Sequence, residues 1–371
     1  MELPLTLAER DALLAIPDVP PTFKERLRLA LLKNGFVRIN IDAREINALL
    51  GAVAVESSFT RIMELRNTLK GIIDRINEIT VDDPASAPNT REMETAVDEA
   101  VAVRNRTPLD DFCGLSPEQM HFLLYEPYGE HSPVTLRTDV PDAILDEIRF
   151  FRLAEELLKI LQRDRFIKLT PLGALPKKYL HELYDHHFIP EESIDHGISK
   201  LTREIDSISI SSVHHTMNFT GLTKKVHGKL MLTKQGVGLL HRSKRTELFR
   251  LILRTFTNKF NWGYNDRYTK ESAGQIGWGF TIYLLSQFGK KTESIEFYAR
   301  KYLRAFPFMV KYFKHVPPST PEMTFVQCYC TRVFERFLQW FGFADVGPAN
   351  WREREKALVT RTRVFEEVWH V

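Results

Sequence analysis

Over most of the chain, apolar residues recur every three or four positions, which is the spacing of one face of an α-helix. One strand is predicted among the first helices, FVRINI at 36–41, where apolar and polar residues alternate. Thr6 and Glu9 have the spacing of a capping box, and Asn34-Gly35 offers the left-handed residues that often end a helix. The pattern therefore predicts a helical N-terminal domain at residues 1–80.

Three further stretches follow. Residues 81–106 are acidic and contain prolines and small residues, so they are predicted to form a linker. Residues 246–371 are predicted to form a helical, aromatic-rich C-terminal domain. Between them, residues 107–245 hold two similar segments, FIKLTPLGALPKK at 166–178 and KLMLTKQGVGLLHRSK at 229–244. Each has a short apolar strand, then Leu-Thr-x-x-Gly, then a basic helix, so we interpret them as two similar supersecondary pieces side by side.

The segment GLTKKVHGKLMLTKQGVGLL, 221–240, predicts a hairpin followed by a helix. Its two short runs flank His227-Gly228, a pair that tolerates positive φ, and Thr233 is placed to cap the next helix. This segment resembles the wing of winged helix-turn-helix proteins, such as the MarR-type and PadR-type bacterial regulators. The resemblance implies a mainly α protein in which residues 107–245 form two winged-helix-like units with short β-hairpins.

In such proteins the wing touches nucleic-acid phosphates, which attract mobile cations. The candidate nucleic-acid-binding residues in the hairpin and the helix after it are Lys224, Lys225, His227, Lys229, Arg242, Lys244, Arg245, Arg250 and Arg254. The helix ahead of the hairpin, about 208–219, is the counterpart of a recognition helix and would present His214, His215, Thr216 and Asn218. That set is poor in Arg, the usual reader of guanine. The sequence therefore supports a winged-helix shape better than it supports recognition of specific DNA bases. Solvated faces or a protein-docking surface remain open alternatives for the same cations.

A second resemblance covers nearly the whole chain. The segments that carry it are LLGAVAVESSFTRIMELRNTLKGIIDRI, GLSPEQMHFLLYEP, IKLTPLGALPKKYLHELY, KLMLTKQGVGLL and FNWGYNDRY with the following GQIGWGFTIYLLSQFG and RAFP. Together they look like a family of bacterial proteins of unknown function. The resemblance implies one architecture from end to end and a bacterial cytoplasmic setting, and it transfers no activity.

Charge is unevenly distributed along the chain. Residues 1–150 carry a net charge of −10, and the remainder carries +13. A basic second half can attract a polyanion, or the two halves can cover each other. The first residues lack the pattern of a signal peptide, no apolar run is long enough to span a bilayer, and three cysteines cannot form a disulfide framework. These features predict a cytoplasmic protein without membrane contact.

Other candidate sites are weaker. HELYDHHF at 181–188 places pairs of potential metal ligands one helical turn apart, but a zinc site needs three or four, so no metal is expected. Cys328 and Cys330 are expected in the core. In the loop KFNWGYNDRY at 259–268, a candidate ligand site consists of Trp262, Tyr264 and Arg267; a packed helix corner is the alternative.

No nucleotide-binding, nucleophile or cofactor motif is present, and no cofactor is expected. We therefore expect a non-enzymatic nucleic-acid-binding or regulatory protein, with DNA favoured over RNA as the partner. The alternative is an interaction or scaffold protein whose winged helices dock a protein partner. An enzyme with an unrecognised site is a third hypothesis.

Overall fold

The structure is a computed structural model that describes residues 1–59, 63–81, 98–99, 101–268, 272–348, 350 and 353–371. The fold is mainly α, as predicted, and its described strands form small antiparallel sheets. None of the helices in these ranges combines the length and the apolar character that crossing a bilayer requires. Contacts divide the chain into two compact units, Met1–Thr107 and Pro108–Val371.

The first unit combines helices with a three-stranded sheet. Its elements are β1 (Glu2–Leu5), α1 (Leu7–Ala15), α2 (Pro21–Leu29), β2 (Leu32–Lys33), β3 (Phe36–Asn40), α3 (Ala43–Phe59) and α4 (Met63–Val81). β3 lies in the middle of the sheet and pairs antiparallel with β1 and β2. The alternating sequence of β3 matches its burial: Val37 and Ile39 are buried on one face of the sheet, and Arg38 is exposed on the other.

Two local predictions in this unit had different outcomes. The capping box is confirmed: Glu9 N–H donates to Thr6 Oγ1 at 3.2 Å, and Thr6 N–H donates to Glu9 Oε2 at 2.7 Å. Asn34 and Gly35 do have positive φ values of 53° and 82°. However, they do not end a helix, because α2 ends at Leu29 and this pair forms the turn between β2 and β3. Left-handed residues suit both positions, so the sequence pattern alone did not distinguish them.

The predicted linker at 81–106 falls largely on residues 82–97 and 100, which lie outside the described residues. Residues 101–106 are helical.

The second unit begins with the helices and strands that surround the hairpin. They are α5 (Pro117–Tyr125), β4 (Thr135–Leu136), α6 (Asp142–Leu145), α7 (Arg149–Asp164), β5 (Ile167–Lys168), α8 (Lys177–Tyr184), α9 (Glu192–Asp195), α10 (Ile208–Thr220), β6 (Thr223–Val226), β7 (Lys229–Leu232), α11 (Lys234–Leu239) and α12 (Arg245–Asn258). Strands β5, β6 and β7 form one antiparallel sheet in the order β5-β7-β6. The two Leu-Thr-x-x-Gly segments therefore lie side by side within a single sheet.

The rest of the second unit is helical with short strands. It contains α13 (Trp278–Phe288), β8 (Glu293–Ser294), α14 (Ile295–Ala305), α15 (Pro321–Tyr329), a π-helical stretch (Cys330–Leu338), β9 (Ala344–Val346), β10 (Leu358–Arg361), α16 (Arg363–Val368) and β11 (Trp369–His370). β10 pairs with β8 and β9, and β11 pairs with β4.

One hydrophobic core runs through the second unit, from Leu115 to Trp369. The long amphipathic helix α7 and the helices α10 and α12 pack in it together, with buried side chains such as Phe151, Met217 and Phe249. The boundary predicted at residue 245 does not coincide with a break in this core, because α12 packs against α10.

Candidate functional site

The hairpin predicted at 221–240 is present. β6 and β7 pair through four residue pairs, from Thr223 opposite Leu232 to Val226 opposite Lys229. His227 and Gly228 form the two-residue turn with φ values of 48° and 71°, as the favoured hairpin turns require.

Strand β5 adds a third strand to this hairpin. Ile167 pairs with Leu230 and Lys168 pairs with Lys229, and the N–H of Leu169 donates to Gly228 O at 2.8 Å. Ile167 and Leu230 are fully buried, so they mark the inner face of the sheet. Because side chains alternate between the faces of a strand, their neighbours point outward.

The outward positions bring together lysines from all three strands. The register puts one set of side chains on this face, which we call the lysine face: Phe166, Lys168, Lys224, Val226, Lys229 and Met231. Lys168, Lys224 and Lys229 are all exposed. The ammonium nitrogen of Lys229 lies 4.1 Å from the centre of the Phe166 ring, a cation–π contact that orients it on this face. Sequence reasoning missed Lys168, whose role depends on strand pairing with a segment distant in sequence.

Lys225 points to the other face of the same strand. It lies opposite the buried Leu230 in the register. A Cβ atom built on Gly173 would come within 2.7 Å of the Lys225 ammonium nitrogen, so this side chain packs against the turn that follows β5. Of the four predicted hairpin residues, Lys224 and Lys229 thus share the lysine face, His227 lies at its tip, and Lys225 is separated from them.

The glycines of the two Leu-Thr-x-x-Gly segments are required for different reasons. Thr233 Oγ1 accepts the N–H of Gly236 at 3.1 Å and caps α11. A Cβ on Gly236 would lie 2.3 Å from the carbonyl oxygen of Leu222, so the helix approaches the hairpin closely only without a side chain there. Gly173 instead has a φ of 81° in a turn. The second motif therefore holds the hairpin against α11.

Helix α10, the expected counterpart of a recognition helix, is mostly buried. His214 was expected to face solvent, but it is buried and its Nδ1 lies 2.9 Å from Glu204 Oε2. Thr216 is also buried, His215 is partly buried, and Asn218 is exposed. The expectation that these four side chains face a groove is therefore wrong for His214 and Thr216, because α10 packs on both α7 and α12.

The N-terminus of α10 is also occupied. Helix N-termini attract anions because their first N–H groups lack partners within the helix. Here Glu191 fills that place: its carboxylate accepts the N–H of Ile208 at 3.0 Å and that of Ser209 at 3.1 Å. A phosphate would have to displace a carboxylate of the protein itself.

The cations after the hairpin do not behave as one surface. Arg245 has only 12% of its side chain exposed and donates to Glu155 and Asp146, each at 2.8 Å, with Asp142 at 3.2 Å. Burial lowers the pKa of this guanidinium, but the hydrogen bonds to Glu155 and Asp146 outweigh that effect and raise it. Arg242, by contrast, is 89% exposed and lies 3.3 Å from Asp142. Arg245 is thus a structural ion-pair centre.

Three other predicted cations, at and just before this helix, line a groove. A cavity of about 600 Å³ lies beside α11 and α12, and the predicted Lys244, Arg250 and Arg254 are part of its wall. Asp139 and Glu247 line it as well, so the positive charge there is partly compensated.

The predicted ligand loop is packed into the core. Trp262 is buried, and its Nε1 donates to the carbonyl oxygen of Phe256 at 2.9 Å. The hydroxyl oxygen of Tyr264 lies 3.0 Å from Ser211 Oγ, and Arg267 is exposed. The three candidate residues are therefore not presented together to one ligand.

A buried ion pair fixes this loop. The side chains of Asp266 and Arg332 are both fully buried and form a salt bridge, and Arg332 also donates to Ala273 O at 3.3 Å. Arg336 donates to Tyr264 O at 2.8 Å. Such buried pairs need several partners to offset their desolvation, which indicates a structural corner.

Within the described residues, no group of three or more His, Cys, Asp and Glu side chains is arranged to hold a metal ion. His186, from the 181–188 segment, is exposed and lies 3.7 Å from Glu156. Cys328 and Cys330 are buried, as expected, and burial raises the pKa of each thiol to about 12. Neither thiol is poised to act as a nucleophile near neutral pH.

Comparison with known proteins finds a likeness over part of the chain. A family described as the Y4jL N-terminal domain matches residues 147–245, the segment from just before α7 to the first residue of α12. No curated protein and no solved structure matches the chain. The matched segment contains all three strands of the lysine face, and this chain is similar to that family over those residues.

Proposed function

We propose that residues 147–245 form a winged helix that binds nucleic-acid phosphates without reading bases, in a non-enzymatic DNA-binding or regulatory protein of the bacterial cytoplasm. The order α7, β5, α8, α10, β6, β7 and the sheet order β5-β7-β6 support the winged-helix assignment, because wings are hairpins whose inner strand pairs with an earlier strand. We propose one such unit in place of the two expected from the sequence, since both Leu-Thr-x-x-Gly segments contribute to the same sheet.

The observation that carries the proposal is the lysine face. Three exposed ammonium groups, from Lys168, Lys224 and Lys229, lie on one side of a single small sheet, with His227 at its tip. Lysine is a flexible point charge, suited to phosphates whose position varies with sequence and shape.

The surroundings of α10 argue against base reading. A recognition helix must offer a polar face to the major groove. In α10 the side chains of His214 and Thr216 are covered, and Glu191 occupies the helix N-terminus. Contacts to the phosphate backbone require none of these groups, so sequence-independent binding is the function that fits the geometry.

The test is fluorescence anisotropy of the full chain with labelled duplex DNA, single-stranded DNA and RNA in a salt series. Three phosphate contacts predict a slope of log K against log salt of about −3 for duplex DNA. The triple variant Lys168→Glu, Lys224→Glu and Lys229→Glu is expected to abolish binding. Absence of binding to every nucleic acid at low salt would contradict the proposal.

A matched control separates this surface from overall charge. The variant Lys290→Glu, Lys291→Glu and Lys311→Glu removes the same charge from exposed residues outside the lysine face. We expect its binding to remain within about twofold of the unchanged protein, because charges far from the interface are screened at physiological salt. An equal loss in both variants would show that net charge alone controls binding.

One feature supports protein docking as a second candidate function. Leu172, in the turn after β5, is 97% exposed, and Phe166 and Val226 on the lysine face are exposed too. Exposed apolar side chains beside cations suit a protein interface whose core excludes water. If docking is the function, Leu172→Ser will abolish partner capture in a pull-down while the triple lysine variant retains it.

A further inference from the structure

Three leucines at the junction of α2 and β2 in the first unit are exposed. Leu29 is the last residue of α2, Leu31 lies in the connection, and Leu32 begins β2. They are 75%, 86% and 51% exposed. Their Cα atoms span about 11 Å at most, because three peptide units join the first to the last. Single exposed apolar side chains are ordinary, whereas a cluster of them indicates a contact surface. We call these three residues the leucine tip.

The fold explains why these leucines lack cover. Leu32 pairs directly with Val37, and residues opposite each other in an antiparallel pair share a face of the sheet. Val37 is buried, so Leu32 extends the apolar face to the outer strand of the sheet, where it is half exposed. Ala30 ends α2 with an extended backbone, φ −70° and ψ 131°, which leads the chain directly from the helix into this strand. The leucine tip thus lies at the rim of the first hydrophobic core.

Two cations flank the leucine tip. Arg28 precedes it and Lys33 follows it, and both side chains are exposed. Within the part of the chain that the structure describes, neither forms an ion pair, whereas Arg26 is held by Glu45. Together, α2 and β2 carry four cations and one carboxylate, that of Glu25. The apolar side chains therefore project from a positively charged part of the surface.

This combination of features selects among the possible occupants. A second copy of the chain would bring Arg28 and Lys33 against the same cations, because a two-fold contact joins identical surfaces. Addition of a strand is disfavoured, since β2 has only two residues and very short edge strands resist pairing. An anionic lipid surface supplies both an apolar layer and negative charge. The first unit as a whole is acidic, with 14 Lys and Arg against 17 Asp and Glu, so such a surface attracts this side and repels the rest.

We propose that the leucine tip binds the surface of an anionic lipid bilayer. Its three leucines enter the boundary between headgroups and acyl chains, and Arg28 and Lys33 stay at the level of the lipid phosphates. The sequence predicts no membrane contact because no apolar run is long enough to cross a bilayer, but binding at the surface requires no such run. This contact does not depend on nucleic-acid binding by the lysine face.

The test is co-sedimentation of the full chain with lipid vesicles at physiological salt. Vesicles of equal parts phosphatidylserine and phosphatidylcholine are expected to bind the protein about thirtyfold more tightly than phosphatidylcholine alone, the effect of two basic residues at an anionic surface. The double variant Leu29→Ser and Leu31→Ser is expected to weaken binding more than about tenfold, because it removes the apolar groups that enter the lipid. Both side chains are mostly exposed, so the variant keeps its fold.

Two matched controls accompany these variants. Leu172→Ser removes a leucine of the second unit that is 97% exposed, and it is expected to leave vesicle binding within about twofold. Lys33→Gln is expected to weaken binding about fivefold, the effect of one cation beside anionic lipid. Lys70→Gln removes an exposed lysine of α4, a helix that packs on α1, α3 and β1, and is expected to change little.

The lysine face provides the last comparison, because its cations could also attract anionic vesicles. We expect its triple glutamate variant to lose duplex DNA but to sediment with vesicles, and the double leucine variant to do the reverse. Absence of sedimentation with phosphatidylserine vesicles, equal losses in the leucine variant and in Leu172→Ser, or binding that requires the lysine face instead of the leucine tip would each overturn the proposal. If vesicles do not bind and the leucine variant dissociates a dimer in analytical ultracentrifugation, the leucine tip contacts a second copy instead.

Discussion

Two lysines of the lysine face, Lys224 and Lys229, and Arg245 at the start of α12 belong to the same basic stretch of sequence, but the fold gives them different surroundings. Lys224 and Lys229 are exposed on a sheet whose other side includes the buried Ile167 and Leu230. Arg245 is held by three carboxylates, Asp142, Asp146 and Glu155. The first group keeps its charge available to a ligand, whereas the second uses it to join α12 to α6 and α7.

The difference shows why a run of cations is a weak indicator of a binding surface. The carboxylates of Glu155 and Asp146, which pair with Arg245, lie 90 and 99 residues earlier in the chain. In the other direction, Lys168 joins the lysine face from a strand that no local pattern links to the hairpin. Tertiary pairing therefore removes one predicted cation from the surface and adds another.

The largest expected effect comes from breaking the ion-pair centre. Arg245→Met removes one of the two cations that pair with the buried Glu155, the other being Lys159, and we expect the free energy of unfolding to fall by about 3 kcal/mol. Urea unfolding followed by tryptophan fluorescence measures this loss, because the four tryptophans among the described residues lie in the second unit. Affinity for duplex DNA should stay within about twofold of the unchanged protein.

Arg242→Gln is the control for this prediction. Arg242 is almost fully exposed, and exposed ion pairs contribute about 0–1 kcal/mol. A stability loss in Arg242→Gln as large as in Arg245→Met would contradict the distinction between the two arginines.

A smaller loss of stability is expected when the contact between α11 and the hairpin is altered without changing the charge of the lysine face. Gly236→Ala places a Cβ against Leu222 O, and we expect a loss of about 2 kcal/mol from the resulting backbone shift. Gly238→Ala, two residues further along α11, has no neighbour within 4 Å of the new Cβ. We expect this control to gain about 0.5 kcal/mol in the same urea experiment, because Ala favours the helix. Equal effects would show that the close approach at Gly236 is unimportant.

Local features of the fold were predictable from the sequence. The capping box at Thr6, the hairpin turn at His227-Gly228 and the cap at Thr233 each depend on residues within a few positions of each other. The mainly α class follows in the same way from apolar spacing.

The candidate site was only partly predictable. Sequence placed Lys224 and Lys229 on a hairpin, but the separation of Lys225 from them depends on which face of the sheet is buried. The burial of His214 depends on the packing of α10 between other helices. These are long-range contacts, which apolar spacing and turn residues do not specify.

The central claim is that a face of the sheet, and not a run of sequence, contacts phosphates. It is tested most directly by comparing Lys168→Glu, on the lysine face but outside the hairpin, with Lys225→Glu, in the hairpin but off the face. In anisotropy titrations with duplex DNA, we predict that Lys168→Glu weakens binding about fivefold and reduces the salt slope by about 1, whereas Lys225→Glu changes affinity less than about twofold. An equal or larger effect of Lys225→Glu would contradict the claim.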